Sequence, residues 1–155
     1  MKSLRIVTLI AVALLLAPVL SAADFGVRAG RYDDGDEEFV GAEVVFDIGA
    51  IKINPNIEYS LADDITAGTA NLDVTFDVLN VGNITPYVGA GVGMSYVDDD
   101  FSTRTDVVGN LIGGVSFNFE FLKPYAQVKY FRILDNENVN GDDEDNLALT
   151  VGLRF

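Results

Sequence analysis

A chain of 155 residues carries 10 Lys and Arg against 24 Asp and Glu, with no His and no Cys, for a formal charge of −14. The length suits one domain with a single closed core or barrel. Without Cys there is no disulfide, thiolate nucleophile or zinc–thiolate site, and without His the usual base near neutral pH is missing; the charge repels phosphate backbones and excludes nucleic acid as a partner. Yet 49% of the residues are hydrophobic and mean hydropathy is +0.26. Acidity and apolarity must therefore be segregated along the chain.

The first apolar block reads as a targeting signal. Lys2 and Arg5 precede the run Ile6–Leu20, and Ser21-Ala22-Ala23 supplies the small residues of a peptidase site. The run is shorter than the ~20 residues that span a bilayer. Residues 1–23 are expected to be a cleaved secretory signal and 24–155 the barrel domain. The apolar Ile6–Leu20 is then absent from the mature chain.

From there the pattern has period two, the period of a strand. Ala70, Leu72, Val74, Phe76 and Val78 alternate with Asn71, Asp73, Thr75 and Asp77. Eight strands are expected, near 24–32, 39–48, 51–61, 69–79, 84–97, 107–119, 124–133 and 146–155. The sixth is the least regular, because Ile112 falls on a face otherwise made of Asn110, Ser116 and Asn118. Connections after the odd strands are long and acidic: Asp33–Glu38, Ala62–Ala67, Asp98–Asp106 and Leu134–Asp145. Those after the even strands, Gly49-Ala50, Asn80–Asn83 and Glu120–Lys123, are short and mostly uncharged. In a meander, alternate connections share an end, so one rim is acidic and the other tight.

Two architectures fit. A soluble barrel turns its apolar face inward around a ligand, whereas an outer-membrane barrel turns it outward into lipid. Ten residues at ~3.3 Å, tilted, climb about 25 Å, the height of a lipid-facing band. The polar face holds Arg28, Lys52, Lys129 and Arg154 with Glu43, Asp47, Glu58, Asp73 and Asp77, a nearly balanced set suited to pairing inside a narrow lumen. Small residues such as Gly26, Gly41, Gly91 and Gly152 lie between them. Phe46, Phe76, Phe119 and Phe155 fall near the tight rim, and Tyr59, Tyr96 and Tyr130 toward the acidic one, where interfacial girdles belong. The expected fold is all-β: an eight-stranded antiparallel up-and-down transmembrane β-barrel.

The final strand carries Leu147, Leu149, Val151, Leu153 and Phe155 at alternate positions and ends on Phe. With the signal, the eight strands and the segment Thr85-Pro86-Tyr87-Val88-Gly89-Ala90-Gly91-Val92-Gly93, the chain resembles the small bacterial outer-membrane β-barrel proteins. That resemblance implies that the terminal alternation is the signal read by the barrel-assembly machinery. It also implies contact with outer-membrane lipid and lipopolysaccharide in a Gram-negative-type cell. The chain departs from the family in having neither a peptidoglycan-binding domain nor long surface loops, so anchoring and phage-receptor roles do not transfer.

Candidate chemistry is sparse. Gly89-x-Gly91-x-Gly93 lies inside a strand, without the spacing or following helix of a phosphate loop. Asp73 and Asp77 are some 13 Å apart along one strand face at ~3.3 Å per residue, beyond the reach of a paired-carboxylate hydrolase. Enzymes built on such barrels generally use a histidine, so no catalytic residue and no cofactor are expected. Asp135, Asn138, Asn140, Asp142 and Glu144 partly imitate a calcium loop, but Leu147 stands where the bidentate Glu belongs. Weakly bound Ca²⁺ or Mg²⁺ is one reading of this loop, and a solvated acidic rim is the other. Three roles stay open: a structural or surface-interacting barrel with an unidentified surface partner, a narrow cation-selective channel, and a soluble periplasmic ligand-binding barrel.

Overall fold

The computed structural model describes residues 23–33, 37–61, 66–99, 102–134 and 145–155. Eight strands run in order: β1 (Ala23–Tyr32), β2 (Glu38–Ile48), β3 (Ile51–Ser60), β4 (Thr66–Asp77), β5 (Ile84–Asp99), β6 (Ser102–Phe117), β7 (Lys123–Ile133) and β8 (Asp145–Arg154). Each pairs antiparallel with the next, and β8 returns to β1, so the sheet closes into a barrel. The seam runs from Gly26 opposite Arg154 to Tyr32 opposite Ala148. Below it, Phe25 and Phe155 exchange backbone hydrogen bonds of 3.0 and 2.9 Å. Closure removes the unpaired edges that an open sheet exposes.

The even-to-odd connections are tight. Between β2 and β3, Ile48 pairs with Ile51 and Gly49 takes φ +73°, a left-handed conformation that a side chain would oppose. Gly82 does the same at φ +62° in the next turn, inside the Val81–Ile84 bridge. The expected acidic loop Asp98–Asp106 is corrected by the structure. β5 and β6 stay paired up to Asp99 opposite Ser102, and β5 stays paired to β4 as far as Asp98, so most of that segment is strand. The β-branched Val97, Thr103 and Thr105 favour extended backbone there. Thr103 Oγ1 also donates to Asp98 Oδ1 at 2.8 Å across this hairpin. Likewise β4 starts at Thr66, inside the expected loop Ala62–Ala67.

The barrel is inverted relative to a water-soluble protein. Arg28, Glu43, Asn56, Glu58, Asp73 and Lys129 are buried inside it, while Val27, Ile57, Leu72, Val92, Leu111 and Leu149 stand exposed around it. Apolar residues do enter the interior at a few places. Ile112, the irregular residue of β6, is buried beside the polar positions. Tyr32, Phe39 and Ala148 form a small cluster near the acidic rim with Phe131 against it, the Tyr32 ring lying 4.7 Å from Phe39 and 5.5 Å from Phe131.

Size matching fills the rest. In the register, Glu43 faces Gly26, Arg28 faces Gly41 and Phe39 faces Gly30. Asn71, Asp73 and Thr75 face Gly93, Gly91 and Gly89; Tyr87 faces Gly114; Tyr125 faces Gly152. Each large inward side chain lies over its glycine partner, where an added Cβ would overlap it. Gly91→Val should therefore overpack the interior against Asp73 and destabilise the barrel by about 1–3 kcal/mol. Urea unfolding checks this, and an unchanged midpoint would show that the interior has slack.

Candidate functional site

Side chains alternate faces at each residue along a strand, and Arg28 on β1, Glu43 on β2, Glu58 on β3, Asp73 on β4, Lys129 on β7 and Arg154 on β8 all fall on the inward face and enter one lumen. They meet as a chain of alternating sign. Arg154 Nε donates to Glu43 Oε1 at 2.8 Å, and its Nη2 lies 3.5 Å from Glu43 Oε2. Arg28 Nη1 stands 3.9 Å from Glu43 Oε2 and 3.4 Å from Glu58 Oε1. Lys129 Nζ is 3.2 Å from both Glu58 Oε1 and Asp73 Oδ2. Three cations thus neutralise three anions; Arg28–Glu43 joins the neighbouring strands β1 and β2, and every other contact skips a strand or crosses the lumen.

Neutral groups complete the carboxylates' coordination. Asn54 Nδ2 donates to Glu43 at 2.7 Å. Tyr32 Oη and Thr69 Oγ1 donate to Glu58 at 3.1 and 3.2 Å. Asn56 and Asn110 donate to the two oxygens of Asp73 at 2.8 and 3.1 Å. The Arg154 guanidinium stacks 4.1 Å above the Tyr125 ring, a favourable cation–π contact. Arg28 is held differently, by charge alone: its three nitrogens make no hydrogen bond of acceptable geometry among the described residues.

The other sequence-selected residues lie elsewhere. Asp47, Lys52 and Asp77 form a separate cluster near the tight turns, where Lys52 contacts Asp77 and sits 3.8 Å from Asp47 Oδ2. Lys123 and Asp24 pair beside them, although sequence reading selected neither. Their lumen-side parity was the available signal. Asn54, Asn56, Tyr87 and Gln127 were missed too, and Asn71 and Asn110, though placed on polar faces, were not selected, because an amide or phenol carries no charge to mark it. Asp135, Asn138, Asn140, Asp142 and Glu144 lie outside the described residues. Leu147, Leu149, Val151, Leu153 and Phe155 share the outward column of β8 and its end, with Leu153 half-buried.

Two cavities flank the ionic chain. One of about 320 Å³ opens at the acidic rim, between Tyr32, Glu37, Ser60, Thr69, Ser95 and Phe131. Another of about 250 Å³ lies at the tight rim, among Asp24, Asp47, Lys52, Asp77, Lys123 and Arg154. Arg154 borders the lower cavity and the Glu58 partners Tyr32 and Thr69 border the upper. The alternating charges therefore occupy the section between the two mouths. Chemically this arrangement clamps opposite walls, since every ionised group in it already faces its opposite.

A closed eight-stranded barrel with a charge-paired interior and an apolar exterior defines the class: the fold of the small outer-membrane barrels. Among solved structures, the chain is similar to Neisserial surface protein A, at 15% identity and a TM-score of 0.66 over 85% of this chain and 94% of that one. It is similar also to the N-terminal β-barrel domain of OprF from Pseudomonas aeruginosa, at 16% identity and a TM-score of 0.64 over 86% and 96%. A de novo designed transmembrane β-barrel matches at 12% identity and a TM-score of 0.52 over 86% and 92%. No family model and no curated protein matches the sequence. At these identities the shared property is the fold.

Removing one partner from a buried ion pair leaves the other charge desolvated, at a cost of about 3–5 kcal/mol. Arg154→Ala should fall in that range, since Glu43 is buried. Lys52→Ala, nearer the mouth and beside half-exposed Asp47, should cost about 1–2 kcal/mol. Urea unfolding of both variants gives the comparison, and equal losses would remove the distinction between interior chain and mouth cluster.

Proposed function

We propose that this chain is a non-catalytic integral β-barrel of a bacterial outer membrane, exported by residues 1–23, with a structural or surface-interacting role. The observation that carries this reading is the inversion of polarity. Leu111, Val151, Ile57 and Leu149 are each more than half exposed, while Asp73 and Lys129 are almost fully enclosed. In water that distribution forfeits the hydrophobic gain and buries charge; in a bilayer it satisfies both media.

A soluble ligand-binding barrel requires an apolar interior, and this lumen is lined by paired ions and amides. The acidic rim faces outward from the cell, and the termini with the tight turns face the periplasm. Divalent cations bridging the acidic loops to lipopolysaccharide phosphates would suit that rim, and the alternation ending at Phe155 would serve the barrel-assembly machinery. A catalytic role has no support in the chemistry present: the carboxylates of the lumen are paired with cations, and the chain has no His or Cys.

The narrow-channel reading draws on the two end cavities. The ionic chain between them favours an occluded barrel, because an ion passing through has to displace Arg28, Glu43 and Glu58 from one another. Two measurements test the proposal. The protein should need detergent for extraction and migrate faster in a denaturing gel before boiling than after; extraction by salt or carbonate alone would overturn it. In planar bilayers it should give no discrete conductance steps, and reproducible cation-selective steps would favour the channel.

A further inference from the structure

The tight-turn end differs from the acidic rim in more than loop length. Its turns carry apolar side chains at their tips. In the β4–β5 connection Leu79 and Val81 are more than half exposed, and in the β6–β7 connection Phe119 and Leu122 are about half exposed and Phe121 is 80% exposed. The two connections touch through Asn118 N–H and Asn83 O at 2.7 Å, so their apolar tips belong to one patch. Glu120 is the sole charged residue in 78–83 and 118–122. Glu120 apart, the charged groups of this end, Asp24, Asp47, Lys52, Asp77, Lys123 and Arg154, line the mouth cavity. At the opposite rim, Arg31, Asp33, Glu38, Asp98 and Arg104 are exposed.

The patch is continuous with the outward column of the wall. Ile48, Val78, Ile84 and Phe155, all exposed, lead from the strands down to the turns. An exposed Phe at a turn tip is costly in water and favourable at the boundary between headgroups and acyl chains, where aromatic side chains concentrate. We infer that the β4–β5 and β6–β7 turns are inserted into the headgroup–acyl boundary of the leaflet at the tight-turn end, with the lower mouth opening at headgroup level. The partner of this patch is thus the lipid surface itself. The barrel sits low, with its tips in lipid and its acidic hairpin well clear of it.

This inference rests on the membrane reading, and the experiment separates the two. The chain has no Trp, so single substitutions report position without background. Phe121→Trp and Leu79→Trp place the probe at the two turns, and Leu111→Trp places it mid-wall. Each variant is folded into phosphatidylcholine vesicles, with folding confirmed by heat-modifiable migration. Emission is then quenched either by phosphatidylcholine brominated high on its chains or by aqueous acrylamide. Phe121→Trp and Leu79→Trp should lose most of their emission to shallow bromolipid and little to acrylamide, and Leu111→Trp should respond to deeper bromine. If Leu111→Trp is lipid-quenched while both turn probes respond to acrylamide alone, the turns project into water, free for a protein partner, and the inference is overturned. If Leu111→Trp is itself untouched by lipid, the membrane reading fails and this inference with it.

Discussion

Closing eight strands leaves an interior just wide enough for side chains to fill, and that volume governs the rest of this structure. Inward positions are filled by side chains that reach the axis, and each large one requires a small neighbour across the strand. The glycine partners of Glu43, Arg28, Asp73, Tyr87 and Tyr125 meet that requirement directly. A polar interior then imposes a second condition, because buried charge without a counter-charge is far costlier than a cavity. The run Arg154–Glu43–Arg28–Glu58–Lys129–Asp73 satisfies both at once.

Buried ion pairs add little net stability compared with a well-packed apolar core. Here that alternative is foreclosed by the medium proposed for the exterior, since a chain apolar on both faces would aggregate before insertion. Charge pairing is compatible with the native register alone. A shift of one residue between β2 and β3 would carry Glu43 or Glu58 to the outer face.

Much of this was legible from alternation. Period two located all eight strands because one face of each is apolar over most of its length, and parity alone placed Arg28, Glu43, Glu58, Asp73, Lys129 and Arg154 on one side. Who pairs with whom was not legible, because contacts such as Lys129–Glu58 join strands far apart in the chain and depend on stagger. The β5–β6 hairpin was under-read for the opposite reason. Beyond Tyr96 the apolar column stops while the backbone pairing goes on, and Asp98, Asp99 and Asp106 read as loop by charge. Amides were passed over although Asn54, Asn56 and Asn110 hold the carboxylates in place.

The ionic chain draws on β8, β2, β1, β3, β7 and β4, but on neither β5 nor β6. Those two strands face the lumen at that level with Gly89, Gly91, Gly93, Asn110 and Ile112, and reach the network through the hydrogen bonds of Asn110. Six strands are thus cross-braced by charge, and β5 and β6 are tied to them by neutral groups instead, Tyr87 donating to Gln127 and Asn110 to Asn71 and Asp73.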